Sequence, residues 1–191
     1  MMSIADLSKL IYFISIIIWV LPALRQYKTE FFDFFLILAL IDPLAILYGV
    51  LTRSSIPSWV TVFFAYLLII SLLSENNIKK LRYILIIIPV IYVLSIPFID
   101  RKFSFVIILI ENIILFLFFL KFLITDYVNH QRTKVFFLML CFYELTVILK
   151  VFNLIMGFSN AYSFYFITSI AQIIFGLFFS IVREDESRVI V

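Results

Sequence analysis

The chain has 191 residues, of which 65% are hydrophobic and 14% charged, and its mean hydropathy is +1.19. So little charge cannot coat a water-soluble domain of this size, and the composition points to an integral membrane protein whose first partner is the lipid bilayer. A net charge of +3 is too small for a nucleic-acid surface, and one cysteine, Cys141, with one histidine, His130, excludes metal or haem sites built on several such ligands.

Windows of about 18 or more apolar residues give seven candidate spans, at about 7–24, 34–51, 56–73, 81–99, 103–124, 135–156 and 161–182. Seven spans of about 20 residues leave no room for a folded extramembrane domain, so residues 1–191 are expected to form one polytopic helix bundle. The first span carries Asp6 before Lys9, and Leu21-Pro22-Ala23 lacks a small-x-small cleavage pattern, so it reads as a retained span rather than a signal peptide. Pro43 in the second span and Pro89 and Pro97 in the fourth predict kinks, because proline removes a backbone donor and crowds the preceding turn. Ser54 and Ser55 read as caps of the third span, with Pro57 in its first turn and Gly157 at the end of the sixth. Runs such as Ile84-Leu85-Ile86-Ile87-Ile88 do not alternate, which argues for an all-α protein and against a transmembrane β-barrel.

Placement of Lys and Arg predicts the orientation. With the N-terminus outside, the inner flanks hold Arg25, Lys28, Lys79, Lys80, Arg82, Lys121, Arg132, Lys134, Arg183 and Arg188, against Lys9, Arg53, Arg101 and Lys102 on the outer flanks. The expectation is an outside N-terminus and a cytoplasmic C-terminus, in a bacterial inner membrane. Trp19, Tyr27, Trp59 and Tyr162 stand near span ends, where aromatic rings anchor at the interface.

Ionisable groups at bilayer depth are costly and mark function by default. Here they are Asp42, Glu111, Glu144 and Lys150, with Asn112, Asn153 and Gln172 as uncharged companions. Glu111 and Lys150 each stand about 11 to 12 Å below the outer boundary on consecutive spans, so an ion pair between them is geometrically available. Asp42 and Glu144 share a depth near the midplane, each nine residues in from Asp33 or Val135. If they meet in a low-dielectric site they cannot both stay ionised, and the pair would share a proton as in a proton-linked carrier. Separate acids bonded to neighbouring backbone or hydroxyl groups would be purely structural.

Ser169, Gln172, Gly176 and Ser180 recur at three- and four-residue intervals along span seven, a stripe of the kind that marks close helix packing. Lys150, Asn153 and Gly157 share a face of span six that would look into the bundle. The loop 125–134, with Asp126, Asn129, His130 and Arg132, reads as a solvated cytoplasmic loop, and Val189-Ile190-Val191 as a frayed end or a strand to be added to a partner's sheet.

No Gly-rich phosphate loop, nucleophile elbow or H-E-x-x-H is present, and three glycines in the chain could hardly build one; no enzyme activity and no cofactor is expected. Leu21-Pro22-Ala23 resembles the proline-bearing first helix of sugar carriers of the 3+1+3 type, whose second triplet carries an equivalent proline, but no proline follows Pro97. Tyr27-Lys28-Thr29-Glu30, Asp42, Ile110-Glu111-Asn112 and Tyr162 resemble the arrangement in small, uncharacterised seven-helix membrane proteins of Bacteroidetes. That resemblance implies a seven-helix fold without catalysis, often associated with membrane signalling. Two functions are therefore expected. The first is a non-catalytic signalling or assembly subunit that contacts other membrane proteins; the second is a small-solute or proton-coupled carrier using the midplane acids. A water-accessible cavity reaching Asp42 and Glu144 would favour the carrier, and a dry bundle with one flat exposed face the subunit.

Overall fold

A computed structural model describes residues 4–96, 100–157 and 161–185. It contains seven helices: α1 (Ile4–Arg25), α2 (Phe32–Thr52), α3 (Ser58–Ser71), α4 (Glu75–Ser95), α5 (Arg101–His130), α6 (Val135–Met156) and α7 (Ala161–Ile181). No strand occurs among the described residues. Three helices, α2, α5 and α6, are long and apolar enough to cross a membrane. Pro97, Ile99, Arg188 and the Val189-Ile190-Val191 triplet lie outside the described residues, as do the side chains of Lys9, Arg101 and Tyr162.

Helix ends follow local chemistry, with departures from the expected boundaries. The sixth helix stops where Gly157 adopts the left-handed conformation, φ 66°, that glycine permits without strain. The third begins on Pro57 as its N-cap, with no side-chain cap bond, while the Ser54 hydroxyl is held by Thr52 at 2.8 Å. The Ser54 and Ser55 caps are thus replaced by a proline whose fixed φ presets the turn. The expected polar loop 125–134 shrinks to four residues, because α5 continues to His130 and is about 45 Å long. Asp126 makes that tight connection possible: its Oδ2 accepts the Lys134 backbone N–H at 3.0 Å and its Oδ1 lies 3.1 Å from His130 Nδ1. Helices α2 and α4 run unbroken through Pro43 and Pro89.

Six of the helices close a ring. Going round it, α1 packs on α2, α2 on α3, α3 on α5, α5 on α6, α6 on α7 and α7 back on α1. The fourth helix stands outside, packed mainly on α3 and tied to it by the Tyr66 hydroxyl, which donates to the Leu85 carbonyl at 2.6 Å. Exchanging the triplet α1–α2–α3 with α5–α6–α7 maps these contacts onto themselves. The chain therefore reads as two three-helix units joined by α4 and related by an axis along the bundle.

One end of the ring, here the upper, is where α1, α3, α5 and α7 begin. The lower half is filled by phenylalanine. Phe31 packs against Phe119, Phe122, Phe136 and Phe137 with ring centroids 5.5 to 6.4 Å apart, and Phe179 closes on Phe35 and Phe136 at 5.1 and 5.3 Å. Most of these rings are wholly buried, at separations favoured for edge-on and offset aromatic pairs.

Candidate functional site

The upper half holds a cavity of about 410 Å³, lined from all six ring helices and bordered by Ile56 of the α2–α3 connection. Five of the seven intramembrane polar candidates reach it: Asp42 from α2, Asn112 from α5, Glu144 and Lys150 from α6, and Gln172 from α7. Ser15 of α1, Thr61 of α3 and Ser169 of α7 add polar atoms, while Trp19, Tyr143, Phe64 and Leu68 supply apolar wall and floor. The acids occupy matching places in the two triplets: Asp42 is ten residues past Phe32 at the start of α2, and Glu144 nine past Val135 at the start of α6. Ser15 and Asn112 line the cavity from α1 and α5, the first helices of the two triplets.

The polar atoms are unequally satisfied. The Tyr12 hydroxyl donates to Asp42 Oδ1 at 3.5 Å, and Asn112 returns its Nδ2 proton to the Ile108 carbonyl of its own helix at 2.6 Å. Asp42 also interacts electrostatically with Lys150 across the cavity. Glu144 is only 2% exposed, and its Oε1 has no hydrogen-bond partner. A buried acceptor left open costs roughly 1–3 kcal/mol, so such an atom on a cavity wall is a place where an incoming group would be held.

The structure separates Glu111 from Lys150, for which an ion pair was available by depth. Lys150 lines the cavity with Asp42, whereas Glu111 is outside the lining, with Oε2 buried and unbonded, close enough to act electrostatically on Tyr66 of α3 and Tyr92 of α4. Equal depth on consecutive helices placed them at one level, but the rotation of α5 sends Glu111 to the α3–α4 side. Asn153 is buried on α6 with an unbonded Oδ1, and Gly157 is exposed at the helix end, so only part of their shared face looks inward.

The small and polar stripe of α7 also divides. Gly176 serves packing: a Cβ there would sit 2.7 Å from Ile18 Cγ2 and 3.6 Å from Trp19 Cε2. Gln172 and Ser169, one and two turns above, line the cavity instead. Trp19, expected at the interface, is 6% exposed and forms cavity wall against Tyr143, ring centroids 5.0 Å apart. Tyr27 and Trp59 are exposed. Among the described residues no group of three or more His, Cys, Asp or Glu could hold a metal ion.

No family model, curated protein or solved structure matches the chain.

Proposed function

We propose that the protein is a non-catalytic seven-span carrier of small polar solutes in a bacterial inner membrane, with its N-terminus outside and its C-terminus in the cytoplasm. The observation that carries this reading is the cavity reaching both Asp42 and Glu144 at the centre of a two-triplet ring. A cavity of a few hundred Å³ with mostly apolar walls and a few convergent polar groups is the common form of a small-molecule site. In the proposed orientation the cavity belongs to the outer half and the phenylalanine cluster seals the cytoplasmic half, so the described conformation takes solute from outside. Release inward requires the two triplets to rock about the site and part the aromatic seal, as parallel-repeat carriers do.

Uptake tests this. Liposomes containing the purified protein are offered a panel of labelled amino acids, amines and sugars under an imposed proton gradient, and compared with Asp42→Asn liposomes. Accumulation of at least one solute, reduced at least about tenfold by Asp42→Asn with unchanged size-exclusion behaviour, is the expected result. Uptake no faster than into empty liposomes for every solute contradicts it.

One observation favours the other reading, a signalling or assembly subunit. The fourth helix packs mainly on α3 and exposes Ile84, Ile87, Ile91 and Leu94. Lipid covers such a helix, and so would a partner helix. A membrane protein recovered with the tagged chain at near-equal amounts, and lost when these four residues are changed to alanine, would support that role.

A further inference from the structure

Resting on the reading of the cavity as a solute site, we infer that its ligand is a small primary ammonium with an apolar body. The geometry sets three conditions. The first is charge: Asp42 is met by the Tyr12 hydroxyl at 3.5 Å and lies in the field of Lys150, whereas no such counterpart is described at Glu144. The second is hydrogen bonding. Glu144 Oε1 is buried without a donor, and an N–H of an ammonium supplies a charge-assisted bond that a quaternary ammonium or a metal ion does not. The third is the wall, where Trp19 and Tyr143 pack together on the adjoining surface, and indole and phenol faces attract a desolvated cation as well as an aryl or alkyl chain.

The two tryptophans of the chain are Trp19 and Trp59, so Trp59→Phe leaves Trp19 as the fluorescent reporter on the cavity wall. Detergent-solubilised protein carrying that change is titrated with phenethylamine, its neutral counterpart 2-phenylethanol, the anion 3-phenylpropionate, and sodium chloride. Phenethylamine is expected to bind at least about tenfold tighter than the alcohol, the factor a charge-assisted hydrogen bond supplies; Glu144→Gln is expected to remove the preference and Glu144→Asp to retain part of it. Equal binding of amine and alcohol, a preference for the carboxylate, displacement by sodium at equal concentration, or a preference that survives Glu144→Gln overturns ammonium recognition while leaving the cavity a solute site. Failure of all probes to perturb Trp19 overturns both. If Glu144→Gln does not fold, the wild-type ratio of amine to alcohol affinity decides by itself.

Discussion

Gln26 shows how much rests on one side chain just past the end of α1. It is fully buried, its Nε2 donates to the Phe179 and Val182 carbonyls at 3.2 and 2.8 Å, and its Oε1 accepts the Glu184 backbone N–H at 3.1 Å. The last carbonyls of a helix have no intrahelical donor, so Gln26 completes the lower end of α7 from another part of the chain. Gln26→Leu keeps the volume but leaves those groups unpaired, at about 1–3 kcal/mol each; the detergent-solubilised protein is expected to melt several degrees lower, and an unchanged melting temperature would contradict the role. Nothing in the sequence marks this residue, because a glutamine next to Arg25 and Tyr27 reads as ordinary interface polarity. Asp42, Glu144, Lys150 and Gln172, by contrast, were legible because a polar group in an apolar window is conspicuous at any rotation.

At the scale of elements, the pairing of α1 with α7 closes the ring and depends on a missing side chain. Both helices begin at the upper end, and Gly176 lets α7 approach the Ile18 side chain and the Trp19 indole closely. Ile18 Cγ2 can move away only by rotating the whole branched side chain, so Gly176→Ala is expected to cost about 1–3 kcal/mol through overpacking; Gly176→Leu should force the helices apart and disturb the adjoining cavity wall. A melting series of the two variants checks this, and an Ala variant as stable as wild type would place α7 farther from α1 than described. The three- and four-residue spacing in α7 announced a specialised face in the sequence. It did not tell which turn packs and which lines a cavity, because that depends on where the neighbouring helices cross. Rotation was likewise out of reach for Glu111, whose depth could be counted while its direction around α5 could not.

For the whole molecule, the number and order of helices were legible because each apolar run is bounded by a short polar gap. The closed ring with α4 outside was not, since it arises from contacts between helices far apart in the chain, such as α1 with α7 and α3 with α5. The same holds for the division into a polar upper half and an aromatic lower half: 24 phenylalanines read as general filler, and only the fold gathers so many of them at one end. That division makes solvent access the most direct test of the proposed function. In a chain carrying Cys141→Ala, a single cysteine at Gln172 is exposed to a membrane-impermeant trimethylammonium methanethiosulfonate added to intact cells, beside a second chain with its cysteine at Leu140, which is wholly buried in the aromatic half. Rapid modification of Gln172→Cys from outside, with Leu140→Cys unmodified, is the result predicted for an outward-facing solute cavity. Modification of Gln172→Cys no faster than Leu140→Cys would mean a dry bundle and contradict the carrier.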